Sequence, residues 1–192
     1  DGTPVGCRGS QECSIDLVSQ AWAVISGAAR ARKAFLSAER QLVMSEEGVI
    51  RLLKPAFDKW EKDPGYIKSY LPGVRENGGQ YSHAAVWFVI AAAKLREKEK
   101  AFRLFQLLNP INHTRTPADV ARYKGEPYVM AADVYYTADY KGRAGWTWYT
   151  GAAGWMYQAA IVHLLGIHIE RGELSVYPCV PDNFGKYTVE YR

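Results

Sequence analysis

Three tryptophans set at similar spacing limit what this chain can fold into. Ser19-Gln20-Ala21-Trp22 opens into Ala23-Val24-Ile25, and Ser82-His83-Ala84-Ala85-Val86-Trp87 opens into Phe88-Val89-Ile90. Thr150-Gly151-Ala152-Ala153-Gly154-Trp155 opens into Met156-Tyr157. Each unit begins with small and hydroxyl-bearing residues, reaches a tryptophan, and continues as an apolar run. Self-similarity of this kind marks a repeated supersecondary unit. The first two runs are followed by more charged stretches, roughly Arg30–Leu42 and Lys98–Leu108, whose apolar residues recur at helical spacing, as in Phe102, Phe105 and Leu108. A helix apolar nearly all round belongs in a core, and a one-sided helix belongs over it. Alternation of the two describes an α/α toroid, a ring of helical hairpins, of which this chain holds about half.

Between the hairpins the chain is rich in turn formers. One long loop is expected from Ser45 to Gly79, carrying Pro55, Asp63-Pro64-Gly65 and Pro72-Gly73. A second is expected from Asn109 to Pro127. Ordered loops of this length in a compact domain usually carry function. The end of the chain changes character. Leu174-Ser175-Val176-Tyr177 and Tyr187-Thr188-Val189-Glu190-Tyr191 alternate as strands, with Pro178, Pro181 and Asp182-Asn183 between them. The expected division is 1–170 as helical repeats and 171–192 as the start of a β domain. Asp1-Gly2-Thr3-Pro4 reads as a turn from mid-protein, so the chain is expected to be a piece of a longer polypeptide.

Composition narrows the function classes. With 192 residues, 48% hydrophobic and 23% charged, the chain is globular rather than disordered. The net charge of +4 comes from dispersed basic residues, and the densest run, Lys94 to Arg103, is interleaved with Glu97 and Glu99. That is a solvated helix face, and no nucleic-acid partner is expected. Cys7, Cys13 and Cys179 make no even framework and read as reduced thiols in a cytoplasmic protein. The four histidines are scattered, so no metal site is expected. The apolar run near Val86 to Ala93 is too short to span a bilayer. Six tryptophans and 13 tyrosines suit sugar platforms, though large cores use such rings too.

Two segments carry candidate chemistry. Arg75-Glu76-Asn77-Gly78-Gly79-Gln80-Tyr81-Ser82-His83 and Trp146-Thr147-Trp148-Tyr149-Thr150-Gly151 each couple glycines to polar and aromatic groups just ahead of an apolar run. Free N–H groups at a helix start attract anions. Arg75 and Glu76 side by side can donate to and accept from sugar hydroxyls, or simply close a loop. His83 can donate to a phosphate oxygen, or sit satisfied in the core. Thr150 and Gly151 form an anion grip or an N-cap. Carboxylates for acid–base work are few: Asp16, Glu76, Glu126 and Asp133, the last placed on a small-residue helix after Glu126-Pro127-Tyr128. There is no Gly-x-Ser-x-Gly elbow, Walker loop or Rossmann glycine pattern.

The chain resembles the C-terminal part of the inverting β-glycoside phosphorylases, glycoside hydrolase family 94, the group of cellobiose and chitobiose phosphorylases. The matching residues are Tyr70, Pro72-Gly73-Val74-Arg75-Glu76-Asn77-Gly78, His83, Asn109-Pro110-Ile111-Asn112-His113, Tyr123-Lys124 with Glu126-Pro127-Tyr128-Val129, Trp148-Tyr149-Thr150-Gly151 with Trp155, and Pro178-Cys179-Val180-Pro181. The Asn-Pro-Ile-Asn-His and Gly-Gly-Gln-Tyr variants look most like the branch acting on β-1,2-glucans, which includes the phosphorylase-like domain of cyclic β-1,2-glucan synthases. The resemblance implies a mainly α fold, part of an (α/α)6 barrel, followed by a C-terminal β-sandwich. It implies phosphorolysis of a β-glucan to α-glucose 1-phosphate with inversion, inorganic phosphate being the co-substrate and no cofactor being needed. It places His83, Thr150 and Gly151 on the phosphate, and Tyr70, Arg75, Glu76, Gln80 and Asp133 on the sugar. The family's catalytic aspartate lies in an Asp-Trp-Asn-Asp-Gly type motif that these residues lack, so the N-terminal remainder of the protein is the expected partner and the chain alone is expected to be inactive. Where the disaccharide phosphorylases carry a sugar-subsite glutamine, this chain has Ala132. The parent is expected to be cytoplasmic, or membrane-anchored with this part on the cytoplasmic side. A half ring has raw apolar edges, which also points to homo-oligomers. Two alternatives stand beside this reading: an α/α-toroid hydrolase using Glu76 or Asp133 with water, and a glucan-binding fragment without catalysis.

Overall fold

The computed structural model describes residues 2, 4–148 and 151–190. Six α-helices are present among them: α1 (Leu17–Ile25), α2 (Ala31–Leu42), α3 (Ser82–Lys94), α4 (Lys98–Leu108), α5 (Pro117–Tyr123) and α6 (Gly151–Gln158). The fold is mainly helical, with short paired strands at the helix ends.

The tryptophan repeat is realised in space. Helix α3 lies between α1 and α6, and the three repeated tryptophans meet. Trp22 and Trp87 are 5.4 Å apart edge to face, and Trp87 and Trp155 are 5.8 Å apart in the same manner. Helices α2 and α4 form the second layer. Phe35 of α2 stacks on Phe88 of α3 at 4.7 Å, and Glu39 of α2 binds both Lys100 and Arg103 of α4. Both helices span the segments predicted for one-sided helices, because their apolar stripe covers α1 and α3 while the charged face stays wet.

Burial differs along the inner layer. From Ala84 to Ala93, α3 is buried except at Trp87. In α1 only Leu17, Ala21 and Val24 are buried, and Trp22 is 42% exposed. Predicted burial all round therefore holds for α3 and fails for α1, which among the described residues packs on α2 and α3 and has no inner helix on its other side. Asp16 caps α1, its Oδ1 accepting from the Ser19 N–H at 2.8 Å. Helix α6 runs on into a π-helical segment, Ala159–Leu164.

The two long loops hold more structure than predicted. Residues 45–79 contain β3 (Val49–Ile50) and β4 (Leu53–Lys54), which pair with β2 (Val43–Met44) and β1 (Ile15–Asp16), and a 3-10 turn at Tyr66–Ser69. Residues 109–127 contain α5 and a 3-10 turn at Pro110–His113. Asp133, expected on a helix, lies in β6 (Asp133–Val134), which pairs antiparallel with β5 (Gln80–Tyr81). Backbone bonding to the segment before α3 overrides the weak helical preference of its small residues. At the C-terminal end the hairpin consists of β7 (Ile167–Glu170) and β8 (Glu173–Val176). Residues 187–190, predicted as a strand, are not in one. Leu174–Val176 takes Ile167–Ile169 as its partner instead, across a tight turn at Arg171-Gly172. No helix among the described residues is long and apolar enough to cross a membrane.

Candidate functional site

Three extended segments are laced together above the start of α3. The Ser82 N–H donates to the Ala132 carbonyl at 2.9 Å, and the Ala132 N–H donates to the Trp146 carbonyl at 2.7 Å. The Trp146 N–H in turn donates to Asp133 Oδ1 at 2.8 Å. This lacing brings Tyr81, Ala132 and Trp146 to one wall of a cavity of about 320 Å³. Arg75, His83 and the first residues of α6, Gly151 and Ala152, complete it. The two glycine-bearing segments singled out by sequence thus meet at one place.

His83 is packed among rings. Its centroid lies 4.5 Å from Trp87, 5.7 Å from Trp155 and 6.0 Å from Tyr81. Gly151 lies against the same ring, and a Cβ there would stand 3.3 Å from His83 Nδ1. Burial pushes the imidazole pKa below its ordinary value, which favours the neutral ring. Its Nε2 is shielded from water and has no hydrogen-bond partner among the described residues. Thr150, the other predicted phosphate contact, lies outside the described residues.

Three more shielded polar atoms lack a partner among the described residues: Glu76 Oε2, Asp133 Oδ2 and Trp87 Nε1. Buried polar groups are rarely left unpaired, and those that are call for an explanation. Glu76 has Arg75 as its near cation, Nε to Oε2 being 3.6 Å, longer than a hydrogen bond. The Arg75 guanidinium lies over the Tyr70 ring at 5.4 Å, and its backbone takes a left-handed φ of 46°. Asp133 is 2% exposed and turned toward Gly145, where a Cβ would come within 2.1 Å of Oδ2. Only glycine lets the backbone pass that close. Burial, helped by the charge of Glu76, pushes the Asp133 pKa up, against Arg75 and the Trp146 N–H.

Gln80 does not face this cavity. It is 1% exposed, its Oε1 accepts from the Ile50 N–H at 2.9 Å, and its Nε2 donates to Ser82 Oγ at 3.1 Å. Its amide ties β3 to the start of α3, and the predicted sugar contact gives way to a structural one. Asp133 likewise acts on the wall from behind, by holding Trp146. Glu126 is half-buried, with a carboxylate that accepts from Trp148 Nε1 at 3.2 Å. His113 of the Asn-Pro-Ile-Asn-His motif is also structural, bonded through Nε2 to the Leu107 carbonyl at 2.8 Å and stacked on Tyr123 at 4.8 Å. Among the described residues no group of three or more His, Cys, Asp or Glu could hold a metal ion, and all three cysteines are free. Sequence reasoning did not single out Tyr81 as a wall residue. The signal was available: Tyr81 precedes the same helix start as His83.

Fold and cavity define a class: a mainly helical domain in which two inner helices begin at one polar, aromatic-walled cavity. The chain belongs to the glycosyl hydrolase 94 superfamily, whose catalytic-domain model matches residues 1–166. It is 44% identical to the cyclic beta-(1,2)-glucan synthase NdvB of Rhizobium meliloti over 100% of this chain and 7% of that protein. It is 33% identical to the N,N'-diacetylchitobiose phosphorylase of Vibrio furnissii over 98% of this chain and 24% of that protein. With the solabiose phosphorylase of Paenibacillus borealis it shares 30% identity, over 95% of this chain and 24% of that protein. The chain therefore spans a quarter or less of the length of each of these relatives.

Proposed function

We propose that this chain supplies the phosphate- and sugar-binding wall of an inverting phosphorylase acting on β-linked glucan, β-1,2 in linkage, within a helical (α/α)6 ring. One observation carries the reading: His83 and the first residues of α6 line the same small cavity, with His83 Nδ1 on the side of Gly151. A phosphate there meets an imidazole N–H and the N–H groups of a helix start, which suits an anion. A neutral His83 donates without needing a charge. Trp146 offers a flat wall to a sugar ring, while Arg75 and Glu76 supply a donor and an acceptor for hydroxyls.

In the reaction a phosphate oxygen forms a bond to the anomeric carbon as the glycosidic C–O bond breaks. The leaving oxygen takes its proton from an acid, and the product is α-glucose 1-phosphate. Phosphate stands where a hydrolase places water, so no protein base has to activate it. The four candidate carboxylates have other roles: Asp16 caps α1, Glu126 is half-buried with its pKa held low by its own N–H and by Trp148, Asp133 holds the Trp146 N–H, and Glu76 is assigned above to sugar hydroxyls. The acid belongs to residues outside this chain. The names of the relatives, a β-1,2-glucan synthase and two disaccharide phosphorylases, support the substrate class.

Calorimetric titration of the chain with α-glucose 1-phosphate tests this. Saturable binding is expected, weakened at least about tenfold in His83→Ala, the scale of one hydrogen bond to a charged group. No binding, or equal binding by the variant, would contradict the proposal.

A further inference from the structure

We propose that Trp87 and Trp155 are positioning residues for His83: they shut Nε2 of the imidazole away from the cavity and leave Nδ1–H as the donor that meets phosphate. This rests on the phosphate reading above. His83 and Trp87 lie one turn apart on α3, and Trp155 reaches them from α6. The His83 ring is 4.5 Å from Trp87, edge to face, and 5.7 Å from Trp155, while the two tryptophans meet each other at 5.8 Å. Tyr81 closes a third side at 6.0 Å, nearly parallel to the imidazole. Among the described residues His83 and Tyr81 line the cavity, and neither tryptophan does. The tryptophans therefore act on a bound anion through His83.

The clamp makes the two ring nitrogens unlike. The edge formed by Nδ1 and Cε1 faces Gly151 at the start of α6, where a Cβ would stand 3.3 and 3.4 Å from those atoms. Nε2 is on the other side, shielded from water and without a partner among the described residues. The histidine that serves only the core is bonded differently: His113 is buried and engages the Leu107 carbonyl through Nε2 at 2.8 Å. A neutral imidazole has one donor and one acceptor nitrogen. A proton on Nδ1 sets the donor on the Gly151 side, where an anion accepts it, and leaves a bare lone pair at Nε2. A second proton would place a charged N–H among rings with no acceptor among the described residues, which burial opposes. Three rings around one imidazole also restrict its turning, so less order has to be imposed when the anion arrives.

The test is nitrogen NMR of the histidine side chains during titration with inorganic phosphate, against chloride at equal ionic strength. In the phosphate-saturated wild type His83 is expected as the Nδ1–H tautomer. Trp87→Leu and Trp155→Leu should show mixed tautomers and bind phosphate about two- to tenfold more weakly, the scale of one aromatic contact. Trp87→Phe, which keeps a ring against the imidazole, should retain both the tautomer and the affinity. Trp22→Leu, which thins the tryptophan ladder at the end away from His83, should do the same. A wild type that binds phosphate through Nε2–H overturns the proposal alone, whether or not the leucine variants fold. So do folded leucine variants with the wild-type tautomer and affinity, and so does an equal loss in Trp22→Leu. A wild type that binds no phosphate overturns the phosphate reading and the proposal together.

Discussion

Asp133 shows how a residue outside the cavity can shape it. Its Oδ1 fixes the Trp146 backbone, and its Oδ2 is left without a partner against Gly145. Burial raises its pKa above the ordinary 3.8, so the folded protein holds that proton more tightly than the unfolded chain. Its contribution to stability is therefore complete below pH 3.8 and is lost as pH rises through the folded value. Asp133→Asn keeps the acceptor and removes the titration. Urea unfolding across mildly acid pH should show the wild type losing stability relative to the variant as pH rises, and parallel curves would contradict this. The sequence marked Asp133 as a site residue but gave no hint of its neighbours. Those come from long-range backbone pairing, as they do for Gln80, whose place beside the glycine turn suggested a ligand and whose amide is taken by Ile50 and Ser82. His83 drew notice through its closeness to the Gly-Gly helix start, and the structure places it in the lining of the cavity.

Among the elements, α3 organises the rest. It touches α1, α4 and α6, and Phe88 at its centre is fully buried against Phe35. Phe88→Ala should cost about 3–5 kcal/mol in urea unfolding, the range for emptying a packed aromatic site. Trp22→Ala, on the open flank of α1, should cost clearly less, and equal losses would contradict the account of α3 as the core helix. The long helices were legible because hydrophobic period survives over ten or more residues. The two-residue strands were not, since so short a segment has no period and is defined by its partner. The same reason explains why Asp133 reads as helical in isolation. The strand that pairs with Leu174–Val176 was misplaced because Ile167–Glu170 follows directly on a helix, with no turn signal but Gly166.

At the scale of the whole molecule, three inner helices carry one tryptophan each into a shared ladder, and the starts of two of them bound one cavity. The repeat in the sequence therefore specifies a repeated placement of helices, and the glycine-rich starts of two of them border the cavity. Membership of the glycosyl hydrolase 94 superfamily fits that arrangement. The central claim is that the cavity around His83 is a phosphate site already formed in this chain. Thermal unfolding in rising inorganic phosphate, against chloride at equal ionic strength, tests it most directly. The account predicts a saturable stabilisation, about 2.7 kcal/mol at one hundred times the dissociation constant, that disappears in His83→Ala. No shift beyond the chloride control, or the same shift in the variant, would contradict it.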